Sequence, residues 1–112
     1  MPLYRQGDIV LLPFPFTDLT QSKNRPAIIV AQKATRNNDF IVAKITSNIH
    51  SDSESFLLNA SDITGTLPAT SEVRCNELMT IAQRRIIKKY ATLEKEPLKT
   101  LCDKIKRNFD VE

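Results

Sequence analysis

Glycine and histidine are both scarce in this chain, which has two glycines and a single histidine, His50, among 112 residues. So few glycines exclude the glycine-rich phosphate loops of the Walker and dinucleotide-binding motifs. One histidine excludes the ribonuclease scheme in which two histidines of one chain share the acid and base roles. No apolar run approaches the roughly 20 residues of a membrane helix, and the first residues lack the regions of a signal peptide, so we expect a cytoplasmic protein with no membrane contact.

The common metal-binding and hydrolase motifs are absent as well. The two cysteines, Cys75 and Cys102, lack CxxC spacing and are predicted to be free thiols. No HExxH motif or Asp/His cluster is present, and the acidic residues of the segment 52–54 are too common a pattern to indicate a metal site. The GxSxG nucleophile motif is missing too. The sequence therefore predicts neither a metal site nor a cofactor.

Positive charge is concentrated in the last quarter of the chain. Residues 1–82 hold seven bases and eight acids, whereas residues 83–112 hold nine bases and five acids. Such a basic end is compatible with a nucleic acid, whose phosphates Lys and Arg neutralise. On charge alone, a solvated helix face is the favoured interpretation.

Short apolar runs separated by turn-forming residues predict a series of β-strands. Residues 7–12, 27–31 and 40–45 are predicted as strands, with Arg25 and Pro26 opening the second one. The further strand candidates and the intervening loops are residues 55–58, 73–76 and 78–82 for strands, 14–24 and 46–54 for loops, and 37–39 for a turn. Within residues 73–76, alternation places Val73 and Cys75 on one face and Arg74 and Asn76 on the other.

The last segment has the period of a helix. Pro97 fits the first helical turn, and the predicted apolar stripe consists of Leu98, Leu101, Cys102, Ile105 and Phe109. Five or six short strands followed by this helix predict a mainly β protein, a small β-barrel with a C-terminal α-helix. No linker or repeat interrupts residues 1–112, so we expect a single domain.

Strand ends are predicted to bring polar side chains together. The set consists of Asp18, Lys23, Asn24 and Arg25 around the first loop, Thr46, Ser47 and Asn48 after the third strand, and Arg74 and Asn76. Arg, Thr and Asn suit contacts with phosphates and base edges, because the guanidinium fork matches phosphate geometry. On residue types alone, a rim of structural hydrogen bonds accounts for the set equally well.

Five sequence blocks, in this order and spacing, resemble the MazF/PemK toxin family. The blocks are GDIV at 7–10, PF at 13–14, NRPAIIV at 24–30, ITSN at 45–48 and VRCNELMTI at 73–81. The resemblance implies a compact SH3-like barrel that forms homodimers. It also implies a toxin that is a sequence-specific endoribonuclease of single-stranded mRNA and is held silent by a small, acidic, partly disordered antitoxin.

The resemblance also implies roles for individual residues. Arg25 matches the family's catalytic arginine, Thr46 its catalytic threonine or serine, and Arg74 an arginine that contributes in part of the family. Some relatives carry a proton-accepting aspartate where this chain has Asn76, and an amide is no base at neutral pH. Alternation points the neighbouring Glu77 to the opposite face, so Asp18 becomes the candidate carboxylate near the site.

Metal-free cleavage is the chemistry that these roles predict. The ribose 2′-hydroxyl attacks the adjacent phosphorus and leaves a 2′,3′-cyclic phosphate and a 5′-hydroxyl. Arg25 and Thr46 would stabilise the phosphate, while Lys23, Asn24, Ser47, Asn48, Arg74 and Asn76 would contact the RNA. Two alternatives stay open: a gyrase-poisoning toxin like CcdB, which shares this fold, and a catalytically silent barrel that binds RNA or protein.

Overall fold

A computed structural model describes residues 3–15, 22–32 and 39–112 of the chain. Seven strands and one helix are formed: β1 (Asp8–Pro15), β2 (Ser22–Ala31), β3 (Asp39–Thr46), β4 (Ser55–Leu58), β5 (Ile63–Gly65), β6 (Ser71–Ala82), β7 (Lys88–Leu93) and α1 (Lys95–Lys106). All the strand pairs are antiparallel and form one curled sheet in the order β4-β6-β3-β2-β1-β7-β5. The predicted mainly β fold with a C-terminal helix is thereby confirmed.

Each face of the sheet carries its own apolar cluster, because the strands alternate their side chains between the two faces. The cluster on the face that α1 covers includes Ile9, Ile28, Ile45, Val73 and Cys75. The opposite cluster consists of Val10, Leu12, Ala27, Ile29, Phe40, Val42 and Ile81. The central strands β1, β2 and β3 are therefore buried on both sides, which explains their continuous apolar runs.

Helix α1 packs on the sheet through one apolar stripe. Leu101 and Ile105 are buried in the first cluster, and Leu98 packs against it. Pro97 lies in the first helical turn, as predicted, where its missing N–H has no helical partner to lose. The predicted stripe is wrong at its end: Phe109 is 67% exposed, because α1 ends at Lys106 and a 3-10 turn redirects the chain.

The strands extend further than the apolar runs predict. β1 continues to Pro15 and β2 starts at Ser22, so each described residue of the loop predicted for residues 14–24 is in a strand; residues 16–21 lie outside the described part. Pro13 and Pro15 are tolerated in β1 because β7 pairs only with residues 8–11 of that strand. Pro26 is tolerated in β2 because β3 pairs with β2 only from Ala27 onward. The turn predicted at residues 37–39 lies outside the described residues except for Asp39.

Two strands were not predicted. β7 has only two buried residues, Ala91 and Leu93, because Lys88 and Lys89 are exposed and Tyr90 and Thr92 are only partly buried. β5 is three residues long and pairs with β7 alone. A short edge strand has few apolar positions, so its pattern is weak in the sequence.

Strand β6 is continuous, where two separate strands were predicted, and it contains a bulge of several residues. Ala43 pairs with Leu78 and Ile45 pairs with Val73, so Lys44 of β3 faces four residues of β6, 74–77. The bulge bends β6, whose first half also pairs with β4. It displaces residues 74–77 at the edge where the predicted polar set lies.

Within the residues described, no helix is both long and apolar enough to cross a bilayer.

Candidate active site

Strand register places Arg25 and Thr46 at corresponding positions, just beyond the paired part of β2 and β3. Ala27 pairs with Lys44 across β2 and β3, and Arg25 and Thr46 each lie two residues beyond that pair. Residues two apart on a strand share a face, so Arg25, Lys44 and Thr46 all belong to the face opposite α1. Arg25 is partly exposed and pairs with Leu12 of β1. This edge of the sheet is the candidate active site.

The Thr46 hydroxyl is held at the last position of β3. Its Oγ1 accepts a hydrogen bond from the Asn48 backbone N–H at 3.1 Å. A hydroxyl can accept and donate at once, so this contact leaves its hydrogen available for an acceptor outside the protein. The side chain is partly exposed. The arrangement presents a fixed O–H donor at the surface.

Arg74 is buried and bound to carboxylates. Its Nη1 lies 2.7 Å from Glu72 Oε2 and 2.9 Å from both Asp52 Oδ1 and Ser55 Oγ, and its Nη2 donates to Asp52 Oδ2 at 3.1 Å. These carboxylate contacts raise the pKa of Arg74 above its ordinary value. An RNA phosphate would have to displace Asp52 to bind the forked edge of this guanidinium.

Glu72 is a buried carboxylate with a partner for each oxygen. Oε1 accepts hydrogen bonds from the backbone N–H groups of His50 at 3.1 Å and Ser51 at 3.3 Å. Oε2 accepts from the Ser55 hydroxyl and from Arg74, both at 2.7 Å. Burial alone would raise the pKa of Glu72, but these hydrogen bonds outweigh it and hold the pKa below its usual value.

Asp52 joins the same network from the solvent side. Hydrogen bonds from Arg74 and from the Glu54 backbone N–H lower the pKa of Asp52 to about 2. Its own N–H donates to Ser55 Oγ at 3.0 Å. The loop of residues 47–54, called the β3–β4 loop from here on, is thereby tied to β6 along its second half.

Glu77 contradicts the predicted alternation. It was expected on the face away from Arg74, yet its Oε2 lies 3.5 Å from Arg74 Nε and its Oε1 lies 3.5 Å from Lys44 Nζ. The bulge at residues 74–77 breaks the two-residue period and brings Glu77 to the side of the candidate site. Lys44 and Arg74 both have carboxylate partners there.

The remaining predicted site residues lie around this edge, with one exception. Lys23 and Asn24 are exposed on β2, opposite Phe14 and Pro13 of β1. Ser47 and Asn48 are exposed at the start of the β3–β4 loop, and Asn76 is exposed in the bulge of β6. Asp18 lies outside the described residues, so its placement in the site stays a prediction.

The described residues contain no group of three or more His, Cys, Asp and Glu side chains that could hold a metal ion. Cys75 is buried and Cys102 partly buried, both as free thiols. Burial raises the pKa of both thiols, so neither is an activated nucleophile at neutral pH.

Sequence reasoning missed the carboxylates that bind Arg74. One signal was available: Glu72 and Arg74 are two residues apart in a strand, a spacing that puts them on one face. Asp52 and Ser55 gave no local signal, because their contacts with Arg74 span 22 and 19 residues of chain.

Comparison with known families assigns the chain to a class of protein. The family model described as "PemK-like, MazF-like toxin of type II toxin-antitoxin system" matches residues 5–109. The class is thus that of the toxins of type II toxin-antitoxin systems. The chain belongs to the PemK/MazF family, as the sequence blocks predicted.

Solved structures share this fold at low sequence identity. The Mycobacterium tuberculosis toxin MazF-mt6 is 21% identical with a TM-score of 0.71, over 94% of this chain and 98% of that one. An endoribonuclease in complex with its cognate antitoxin, from a mycobacterial species, is 12% identical with a TM-score of 0.76, over 97% of both chains. A MazE-MazF structure from Deinococcus radiodurans is 17% identical with a TM-score of 0.75, over 98% of both. No curated protein matches the sequence.

Proposed function

We propose that this toxin is a sequence-specific endoribonuclease that cuts single-stranded mRNA at the edge formed by Arg25 and Thr46. The observation that carries the proposal is their common register on one face of β2 and β3. A guanidinium and a hydroxyl there suit a phosphate, one as a charged forked donor and the other as a neutral donor. Of the structural relatives named above, one is an endoribonuclease and two are MazF proteins, which supports the proposal.

RNA brings its own nucleophile to such a site. The 2′-hydroxyl attacks the neighbouring phosphorus, the bond to the 5′-oxygen breaks, and the products are a 2′,3′-cyclic phosphate and a 5′-hydroxyl. Arg25 stabilises the charge that gathers on the phosphoryl oxygens, and the Thr46 hydroxyl donates to the same phosphate. Placing the reacting atoms in line and neutralising that charge are what the chain has to supply.

The residues around the edge would bind the RNA strand. Lys23 adds charge beside Arg25, while Asn24, Ser47, Asn48 and Asn76 offer exposed donors and acceptors to splayed bases. Asn76 cannot take the proton of the 2′-hydroxyl. The candidate carboxylates for that proton are Glu77, which contacts Lys44 and Arg74, and the predicted Asp18.

A direct assay decides the chemistry. The purified chain is incubated with a long single-stranded RNA, with and without excess EDTA, and the cut ends are analysed. We expect cleavage that persists in EDTA and leaves cyclic phosphate and 5′-hydroxyl ends, and a 2′-deoxyribose 5′ of the cut should block it. Loss of activity in EDTA that magnesium restores would contradict the mechanism.

An acidic antitoxin and a second copy of the chain are the proposed protein partners. Two of the structural relatives contain an antitoxin or MazE, and the excess of bases in residues 83–112 suits an acidic chain. Expression of the toxin alone should arrest growth, and co-expression of an acidic product encoded beside it should relieve the arrest. Light scattering should give twice the 12.7 kDa monomer mass, and a monomer at micromolar concentration would contradict the symmetric dimer.

The CcdB-like alternative is not favoured, because the family model that matches the chain is that of PemK-like and MazF-like toxins. RNA cleavage by the purified chain also separates the proposal from a silent RNA-binding barrel.

A further inference from the structure

We infer that Glu72 is a positioning residue, whose buried carboxylate fixes the β3–β4 loop and thereby sets the geometry of Thr46, Ser47 and Asn48 at the RNA-cleaving edge. The inference rests on the proposed function, since these three residues belong to the proposed site. It concerns a side chain that contacts other protein groups and not the substrate.

The location of Glu72 suits this role. It pairs with Thr46 of β3 on one side and with Leu57 of β4 on the other, so it lies between the two strands that the loop connects. Its side chain is 1% exposed, so it is not placed to touch RNA. A carboxylate so deeply buried is retained only when it is fully paired.

The hydrogen bonds of Glu72 reach two separate parts of the loop. Oε1 binds the N–H groups of His50 and Ser51 in the middle of the loop. Oε2 binds the hydroxyl of Ser55, the first residue of β4. One side chain therefore fixes the path of the chain from Thr46 to β4, and the Asn48 N–H that orients the Thr46 hydroxyl lies on that path.

The backbone at Ser51 needs such support. Ser51 has φ of 52°, a positive value that no other non-glycine residue of the described part adopts. This left-handed conformation is unfavourable for a residue with a Cβ. The N–H of Ser51 is one of the two that donate to Glu72, so the carboxylate holds the loop where its conformation is least favourable.

Arg74 and Asp52 complete the arrangement. The Arg74 guanidinium lies between Glu72 and Asp52, and it neutralises the buried carboxylate while tying the outer part of the loop to β6. In this arrangement Arg74 acts on the site through the loop. Without the Glu72 carboxylate, the β3–β4 loop would keep its outer contact, that of Asp52 with Arg74.

The test is Glu72→Gln, which keeps the size and one carbonyl oxygen but loses the charge that attracts the four donors. Glu54→Gln is the matched control, since Glu54 lies in the same loop and its side chain accepts from Asn108, outside the Glu72 network. The readouts are amide hydrogen exchange of His50 and Ser51, and kcat and KM for cleavage of a single-stranded RNA. We expect Glu72→Gln to exchange these amides faster and to lower kcat by about 10- to 100-fold, the cost of a small misplacement of reacting groups, with little change in KM. Glu54→Gln should resemble the wild type.

Ser51→Gly supplies a rescue in the Glu72→Gln background. Glycine adopts positive φ without strain, so the double variant should regain both amide protection and kcat. Protection and kcat are expected to move together across the series. A kcat that stays at the wild-type value while the amides exchange faster would overturn the inference, and so would a kcat that falls while they remain protected.

If Glu72→Gln does not fold, Ser55→Ala takes its place. Its hydroxyl contacts Glu72, Arg74 and the Asp52 N–H, so its removal should speed exchange at Asp52 and lower kcat without changing KM. Unchanged exchange and unchanged kcat would overturn the inference. A wild-type chain that cuts no RNA refutes the proposed function, and the exchange data then decide by themselves whether Glu72 fixes the loop.

Discussion

Arg25 on β2 and Thr46 on β3 occupy corresponding positions, each two residues beyond Ala27 and Lys44, the pair at which the pairing of β2 with β3 ends. Both therefore belong to the same face of the sheet, at the edge where the β3–β4 loop begins. Thr46 is paired with Glu72 of β6. The proposed phosphate-binding residues and the carboxylate that holds the loop thus lie on three adjacent strands.

Removal of the Thr46 hydroxyl tests its proposed role. Thr46→Ala should lower kcat for RNA cleavage, and by less than the loss of Arg25, because a neutral hydroxyl is a weaker partner for phosphate than a guanidinium. Thr46→Ser should retain most of the activity, since it keeps both the acceptor for the Asn48 N–H and the donor.

Thr100→Ala is the control, because the hydroxyl of this exposed helical residue bonds only to a carbonyl of its own helix. Equal rates for Thr46→Ala and the wild type would remove Thr46 from the catalytic assignment.

Stability should fall in acid because of the carboxylates around Arg74. The pKa of Asp52 is about 2 in the folded chain, against an ordinary value of 3.8, and the pKa of Glu72 is also lowered. Both groups bind protons more readily in the unfolded chain, so their contribution is complete above the ordinary values and is lost as pH falls through the folded ones. Urea unfolding between pH 6 and pH 2 should show this decline.

Asp52→Asn should flatten that decline, because the substituted side chain does not titrate. A variant whose unfolding midpoint depends on pH as steeply as the wild type would show that Asp52 does not contribute.

Gly65→Ala should weaken the edge of the sheet without affecting the site. Gly65 has φ of +105°, and an added Cβ would lie 2.6 Å from the Tyr90 carbonyl oxygen and 2.9 Å from Ala91 Cα, both backbone atoms. We expect a loss of about 1–3 kcal/mol in the free energy of unfolding, typical of a residue forced into a disfavoured backbone conformation. Cleavage by the folded fraction should be unchanged; an unaltered urea midpoint would mean that β5 and β7 separate easily.

The central strands and the helix could be predicted from sequence because their buried residues form regular patterns. β1, β2 and β3 are apolar on both faces, and Leu101 and Ile105 lie on one stripe of α1. β7 escaped prediction because its buried positions are few, and Phe109 was misplaced because nothing local marks the end of α1 at Lys106. Regular periodicity is visible in a sequence, whereas edges and terminations depend on neighbours.

The site was only half visible for the same reason. Arg25 and Thr46 stand in recognisable blocks, at the ends of strands that their apolar runs predict. The surroundings of Arg74 depend on the β3–β4 loop folding back onto β6, and the position of Glu77 depends on a bulge. Neither a loop path nor a bulge leaves a periodic signal, so the binding of Arg74 by carboxylates could not be predicted.

The most direct test of the account is the rate of RNA cleavage by Arg25→Ala, measured beside Arg25→Lys and the control Arg5→Ala. Arg5 is exposed and precedes β1, whereas Arg25 pairs with Leu12 within that strand. We predict a loss of about 100- to 1000-fold or more for Arg25→Ala, as for a lost donor to a developing oxyanion. Arg25→Lys should recover only part of it, because a point charge lacks the bidentate fork, and Arg5→Ala should cleave like the wild type. A folded Arg25→Ala variant that cuts RNA within about threefold of the wild-type rate, far less than a lost oxyanion donor costs, would contradict the assignment of Arg25 as catalytic.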